Sequence, residues 1–136
     1  MDLYKAMSVS AAGMKAQGTR LKVIAENLAN ANTTAETPGD MPYRRKVVYF
    51  QNVLDRQMGV DTVRIAKVDV SKSDFQRRYD PTHPSADSEG YVLLPNVSSL
   101  VEAMDMREAQ RSYEANLSVI EASRTMLSRT VELLRT

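Results

Sequence analysis

The chain has 136 residues, a length that usually forms one domain with a modest hydrophobic core. Its 18 basic and 17 acidic residues nearly cancel, which argues against a nucleic-acid binder, because such a protein concentrates basic residues on one face. The absence of cysteine excludes disulfides and thiolate metal sites, and no apolar run reaches the roughly 20 residues that a membrane helix needs. We therefore expect neither a nucleic-acid partner nor insertion into lipid.

The first segment, residues 1–32, is predicted to be a long helix. It contains no proline, and its apolar side chains recur every seven residues, which keeps one seam of a helix facing a partner helix. The seam residues are Met7, Met14, Leu21, Ile24 and Leu28. The positions around them are small or polar, and Gly13 and Gly18 each cost about 1 kcal/mol relative to alanine. We expect this helix to be marginal alone and to need close packing against neighbouring helices.

Three asparagines, Asn27, Asn30 and Asn32, crowd into the end of this helix. Asparagine is unfavourable inside a helix because its amide competes for backbone hydrogen bonds. A helix stop, in which Asn30 or Asn32 adopts the left-handed conformation, explains one asparagine but not three. Asn27 directly precedes the seam residue Leu28, where its amide could hydrogen-bond a neighbouring helix and fix the register. The cluster is therefore predicted to act in assembly between subunits.

The middle segment, residues 33–97, contains all five prolines and is predicted to form loops and short strands. β-branched and aromatic residues indicate the strands, which are 47–50, 60–70 and 91–94. Broken alternation in the second strand predicts a bulge or turn near Ala66 and Lys67. The stretch DPTHPSADSEG (80–90) has the composition of consecutive turns.

Few side chains of the middle segment are suited to catalysis or metal binding. His83 lies among acidic residues and could bind a metal ion or move protons, but a structured loop is the favoured interpretation because no second histidine exists. The basic runs 44–46 and 77–78 could contact phosphates, although nearby acidic residues favour a solvated or interface-lining surface. No phosphate-binding loop, nucleophile elbow or His-based triad is present. We predict that the chain is not an enzyme and uses no cofactor or metal.

The third segment, residues 98–136, is predicted to be a second long helix. It lacks proline and repeats apolar residues every seven positions. Its predicted packing residues are Met106, Tyr113, Asn116, Leu117, Ile120, Leu127, Val131 and Leu134. The three segments predict a mainly α protein with a small irregular β and loop middle, in which the two terminal helices form a coiled-coil hairpin.

Several stretches resemble the bacterial flagellar axial proteins, the rod and hook family. SAAGMKAQGTRLKVIAENLANANTT (10–34) is similar to the N-terminal signature of the family. VEAMDMREAQRSYEANLSVIEASRTMLSRTVELL (101–134) looks like its shared C-terminal helix. MPYRRKVVYF (41–50) and YDPTHPSADSEGYVLLPNV (79–97) are similar to its proximal-rod branch.

The resemblance implies a structural subunit of the basal-body proximal rod, a hollow drive shaft that crosses the periplasm, transmits motor torque and conducts exported subunits. It implies export by the type III apparatus without a cleaved signal peptide, and terminal helices that become ordered on assembly into an oligomeric tube. The implied partners are FlgB, FlgF, FlgG, the base adaptor FliE and further copies of the chain. From the residues alone, a cytosolic coiled-coil adaptor or export chaperone, folded by itself as a dimer or bundle, remains the alternative.

Overall fold

The computed structural model describes residues 2–135, which form two long helices and four strands. Helix α1 spans Leu3–Ala29 and helix α2 spans Ser99–Arg135. Between them lie strands β1 (Lys46–Asp55), β2 (Val60–Val70), β3 (Gln76–Tyr79) and β4 (Tyr91–Leu94). Helical ends on either side of a small β region are as predicted.

Both helices begin at a capping side chain. Asp2 Oδ1 accepts the backbone N–H of Lys5 at 2.8 Å. Ser98 Oγ accepts the backbone N–H of Val101 at 3.4 Å, and the Ser98 carbonyl accepts that of Glu102 at 2.9 Å. These bonds satisfy N–H groups that the first turn of a helix leaves without a partner, so the sequence itself sets where each helix starts.

The end of α1 does not use the left-handed stop that had been the alternative explanation for one asparagine. Neither Asn30 nor Asn32 has a positive φ angle. Instead, Asn30 Nδ2 donates to the Glu26 carbonyl at 2.8 Å, and Thr33 Oγ1 donates to Asn30 Oδ1 at 3.1 Å. The Glu26 carbonyl also accepts the Asn30 backbone N–H at 3.1 Å, so α1 ends without a left-handed residue, and the Asn30 side chain adds hydrogen bonds to the last turn.

The strands form two separate two-stranded sheets, β1 with β2 and β3 with β4. β3 and β4 are antiparallel, with Gln76 opposite Leu94 and Tyr79 opposite Tyr91. β3 was absent from the sequence prediction because its four residues, QRRY, are all exposed and carry no apolar alternation. β2 runs as one strand through residues 66–67, so the chain does not turn there, and a bulge, the other alternative, stays a prediction. The turns predicted for 80–90 are present.

The chain packs as two compact units, each built from stretches that are distant in sequence. The first unit comprises Met1–Leu21, Tyr49–Lys67 and Arg107–Thr136. The second comprises Lys22–Val48 and Val68–Met106. The predicted segments 1–32, 33–97 and 98–136 describe the order of elements along the chain, whereas the units describe which stretches pack together.

Within the first unit, α1 and α2 run antiparallel. A methyl group placed at Gly13 would lie 2.9 Å from Asn116 Nδ2, so the two helices approach closely there. About two turns further along α1, Arg20 Nη2 lies 3.6 Å from Glu108 Oε2. Residue numbers therefore increase along α1 where they decrease along α2, as expected for antiparallel helices.

The two helices do not form the clear coiled-coil hairpin that was predicted. A coiled coil buries a narrow seam of large apolar residues. Here the buried positions of the first unit's helices are small or polar, namely Ser10, Gly13, Ala16, Ala109 and Ser123. Counting only apolar residues missed this contact line, because small side chains are what allow two helices to approach closely.

The two glycines of α1 offer a matched test of this packing. Gly18 has no heavy atom within 4 Å of a built Cβ, so Gly18→Ala is expected to raise the free energy of unfolding by about 0.5–1 kcal/mol through helix propensity. Gly13→Ala is expected to lose that gain, because the methyl group would press on the Asn116 amide, which donates to the Ser112 carbonyl at 2.9 Å. Urea denaturation measures both; equal gains would contradict the close approach.

Candidate assembly interface

The last turns of α1 carry a buried amide, Asn27, which is only 1% exposed. Its Oδ1 accepts the Tyr43 O–H at 2.7 Å and the backbone N–H of Lys46 at 2.9 Å. Its Nδ2 donates to the Lys46 carbonyl at 2.9 Å and to Glu102 Oε2 at 3.2 Å. All four hydrogen-bonding positions of the amide are therefore occupied within the chain.

This geometry differs from the predicted use of Asn27 between subunits. The amide does reach a second helix, but that helix is α2 of the same chain, and no donor or acceptor remains for a neighbour. Asn30 is half-buried at the helix end, and Asn32 is exposed. A contact of Asn32 with another subunit remains a prediction, while Asn27 organises the subunit itself.

Asn27 belongs to a larger buried polar junction around Glu102, whose side chain is fully buried. Arg45 Nε donates to Glu102 Oε1, and Arg45 Nη2 lies 3.5 Å from Asp105 Oδ2. A carboxylate removed from water requires such a partner, because an unpaired buried charge costs several kcal/mol. One member of the basic run 44–46 thus pairs inside the protein, where a solvated or interface-lining surface had been expected.

Sequence reasoning missed Glu102 and Arg45 as structural residues. Glu102 occupies the buried face of α2, seven residues before Ala109 and fourteen before Asn116. A repeat that counted small and polar residues as well as apolar ones would have placed Glu102 on this face. Nothing in the local sequence distinguishes Arg45 from Arg44, because the pairing depends on a residue 57 positions away.

The electrostatics of the junction keep its donors protonated. Burial raises the pKa of the Tyr43 hydroxyl; the Lys46 charge lowers it, and the carboxylates of Glu26 and Glu102 raise it further. The pKa of Lys46 is raised by its hydrogen bond to Glu26, with Nζ 3.0 Å from Oε2. Both groups therefore remain protonated at neutral pH, Tyr43 as a donor to Asn27 and Lys46 as a cation.

The predicted packing residues divide into two groups. Those that are buried or half-buried within the chain are Met7, Met14, Leu21, Ile24, Leu28, Met106, Tyr113, Asn116 and Ile120. Those that are exposed are Leu117, Leu127, Val131 and Leu134. Apart from Asn32, which follows α1, the exposed predicted residues all lie on α2, so the two terminal helices are not equivalent.

The C-terminal end of α2 presents an exposed apolar face. Every described residue from 124 to 135 is exposed. Leu127, Val131 and Leu134 are spaced by four and three residues, which places them on one side of the helix, and they are 39%, 54% and 82% exposed. Leu127 also lines an open, largely apolar cleft of about 620 Å³ with Leu3 and Tyr4. We call Leu127, Val131 and Leu134 the apolar face of α2.

The single histidine has a structural role. His83 Nδ1 accepts the backbone N–H of Ser85 at 3.1 Å, so the neutral ring carries its proton on Nε2 and donates to Thr34 Oγ1 at 3.2 Å. Among residues 2–135, no group of three or more His, Cys, Asp or Glu side chains could hold a metal ion. Neither helix in that range is long and apolar enough to cross a membrane.

The turn before β4 is organised by Asp87. Its Oδ1 accepts the backbone N–H groups of Glu89 and Tyr91, each at 2.9 Å. Arg77 lies 3.7 Å from the Asp87 carboxylate and stacks over the Tyr91 ring at 4.4 Å. The run 77–78 is therefore a solvated charged surface that supports the turn, as predicted for it.

This turn is expected to loosen in acid. The pKa of Asp87 is lowered from 3.8, first by the Tyr91 N–H, against partial desolvation, and then by the Glu89 N–H and the Arg77 charge. Its stabilising effect is therefore present above pH 3.8 and is lost as the pH falls through the lower folded-state pKa. The Tyr91 amide resonance should report this transition. Asp87→Asn keeps the accepting oxygen but cannot titrate, so a transition that persists in that variant would contradict the assignment.

Comparisons with known proteins cover nearly the whole chain. The chain is 47% identical over 133 residues to the flagellar basal-body rod protein FlgC of Agrobacterium fabrum, covering 98% of this chain and 96% of that protein. It is 38% identical to FlgC of Bacillus subtilis over 148 residues, covering 98% and 99%, and 37% identical to FlgC of Salmonella typhimurium over 135 residues, covering 98% of each.

Two family models match the two ends of the chain. Residues 7–35 match the flagella basal body rod protein family, and residues 88–133 match the C-terminal region of the flagellar basal body rod FlgEFG proteins. The first match covers most of α1 with the asparagine cluster, and the second covers β4 and nearly all of α2. Most of both helices, with every predicted packing residue except Leu134, therefore lies within the matched regions.

Proposed function

This chain belongs to the FlgC family of flagellar basal-body rod proteins, and from that premise we propose that the apolar face of α2 joins it to its neighbours in the rod. Family membership makes the chain a structural subunit of the basal-body rod, a component of the machinery of motility. The family is a structural one, which agrees with a protein that is not an enzyme.

The observation that carries the proposal is the exposure of Leu127, Val131 and Leu134 on one side of α2. Burying a side chain of this size contributes about 1.5–3 kcal/mol, so three of them make a substantial contact. A contact that repeats at every subunit of an assembly accumulates this energy along the shaft. Densely packed helices also resist shear, because close-packed interiors deform little, and a shaft that transmits torque needs that stiffness.

The finer assignment follows the family resemblance. The neighbours would be FlgB, FlgF, FlgG, the adaptor FliE and further copies of the chain, arranged as a hollow tube that crosses the periplasm, transmits torque and conducts exported subunits. The subunit would reach that site through the type III apparatus, without a cleaved signal peptide. The matched relatives are rod proteins, so they favour this assignment over a cytosolic coiled-coil adaptor or export chaperone.

The experiment that tests the proposal is site-specific photocrosslinking. A photoreactive amino acid at Val131 should capture rod proteins in isolated basal bodies, and mass spectrometry identifies them. The matched control is Thr125, which is exposed on the opposite side of the same helix end. Capture of rod proteins from Thr125 but not from Val131 would contradict the proposal.

A further inference from the structure

One face of the β3–β4 sheet is exposed and carries two tyrosines and an arginine. The pairing of the strands places Arg77 opposite Leu93 and Tyr79 opposite Tyr91 on this face. Tyr79, Tyr91 and Leu93 are 64%, 37% and 39% exposed, whereas Val92, on the other face, is fully buried. Tyrosine and arginine are enriched among the residues that carry most of the binding energy of protein interfaces. We call Arg77, Tyr79, Tyr91 and Leu93 the aromatic face.

The aromatic face is ordered before any partner binds. The Tyr79 and Tyr91 rings meet edge to face, with their centroids 5.4 Å apart. A methyl group placed at Gly90, whose φ is +86°, would lie 2.9 Å from Tyr79 Cε2, so the Tyr79 ring lies directly against the backbone. Arg77 lies over the Tyr91 ring and pairs with Glu89 at 3.5 Å. Side chains that are already ordered lose little entropy on binding, which suits this face to docking.

The border of the aromatic face is acidic. Arg77 Nη2 lies 3.7 Å from Asp87 Oδ2 and 3.5 Å from Glu89 Oε2. Asp80 adds a third carboxylate, and in the two strands and the turn between them only Arg77 and Arg78 oppose these three, which leaves a net charge of −1. Ion pairs between exposed groups at such distances are weak, so the carboxylates can still attract a further cation. An apolar partner flanked by basic residues would therefore match this face in both hydrophobicity and charge.

The apolar face of α2 has this complementary character. Arg124 lies three residues before Leu127, and Arg135 lies four residues after Val131, so both arginines flank the apolar face of the helix. Residues 124–135 contain three arginines and one glutamate, a net charge of +2. The same chain therefore carries both an aromatic face with an acidic border and an apolar face with basic flanks.

We propose that the aromatic face receives the apolar face of α2 from a second copy of this chain. The inference rests on the proposed function, because it names what covers the apolar face in the rod. In this contact the aliphatic side chains of α2 lie against the Tyr79 and Tyr91 rings, while Arg124 and Arg135 approach the acidic border. The contact joins two different surfaces, so it leaves one of each free and can continue from copy to copy around a ring or along a helix.

The test is photocrosslinking from the aromatic face in isolated basal bodies. A photoreactive amino acid replaces Tyr79 or Leu93 in the full-length chain, which is produced alongside the unmodified chain so that rods still assemble. The matched control is Gln76, which is exposed on the same strand as Tyr79 but on the opposite face of the sheet. We expect a covalent dimer of this chain, linked to residues 124–135, at about tenfold higher yield from Tyr79 and Leu93 than from Gln76. Mass spectrometry of the linked peptides identifies the attachment site.

A crosslink to a different protein or to another part of this chain, an equal yield from all three positions, or no crosslink at all would overturn the inference. The result is distinguishable from that of the proposed function, which depends on capture of rod proteins from Val131. If Val131 captures rod proteins while Tyr79 and Leu93 do not reach residues 124–135, the apolar face of α2 still joins neighbours, and only the partner inferred for the aromatic face is wrong. If Val131 captures no rod protein, the proposed function itself fails.

Discussion

Arg45→Met is expected to lower the free energy of unfolding by about 3–5 kcal/mol, because it leaves the buried Glu102 carboxylate without its guanidinium partner. The Asn27 amide remains at the other carboxylate oxygen but carries no charge. Addition of Glu102→Gln should restore much of the loss, since a neutral amide is far cheaper to bury than an unpaired charge. Urea denaturation of the purified protein gives both values.

The control for this change is its neighbour in sequence. Arg44 donates to the Ser71 carbonyl at 2.9 Å and to the Ser73 carbonyl at 3.1 Å, and it stacks over the Phe75 ring at 4.2 Å, but it pairs with no buried carboxylate. Arg44→Met should therefore cost less than Arg45→Met, about 1.5–3 kcal/mol, the sum of two hydrogen bonds and a cation–π contact. If Arg44→Met and Arg45→Met lower the free energy of unfolding equally, the buried junction does not stabilise the fold more than an ordinary surface contact does.

Val131→Asp is expected to abolish swimming and rod assembly while leaving the purified subunit as stable as the parent. The side chain is 54% exposed in the free chain, so an aspartate there meets water. Within a packed contact the same carboxylate would be buried without a partner, at a cost of several kcal/mol at each subunit. Motility on soft agar, rod yield and urea denaturation separate the two effects.

Val131 is chosen for this substitution because its side chain is exposed in the free subunit. Leu28 and Ile120 are half-buried by the chain itself, so a charge at either would damage the subunit as well as any contact between subunits. Thr125→Asp, which adds the same charge to the opposite side of α2, should preserve motility. If Val131→Asp cells swim normally, or if both variants are equally immotile, the apolar face of α2 is not the surface that joins neighbours.

Sequence alone indicated the elements and the family, since proline placement and seven-residue repeats reveal two long helices. Sequence-based prediction failed where an element depends on contacts with residues far away in the sequence. β3 is a strand because its backbone pairs with β4, and the QRRY residues contain no signal of that pairing. The Asn30 side chain likewise bonds Glu26 and Thr33 at the end of α1, and composition does not distinguish that arrangement from a left-handed cap.

In the candidate site, too, the sequence indicated the residues with a regular spacing but not the hydrogen bonds between distant residues. Leu127, Val131 and Leu134 were identified from their spacing, because an exposed apolar row repeats regularly along a helix. Asn27 was identified as an unusual buried amide, but its partners were assigned to another subunit, since a sequence does not show which chain supplies a hydrogen bond. That the terminal helices become ordered only on assembly into the rod stays an expectation from the family resemblance.

A cryo-EM map of the intact basal body would show whether neighbouring subunits cover the apolar face of α2. We expect Leu127, Val131 and Leu134 each to lie within about 4.5 Å of apolar side chains from other rod subunits. If the map instead shows this face open to solvent, with the subunit held by other surfaces, the apolar face of α2 is not the contact that joins neighbours in the rod.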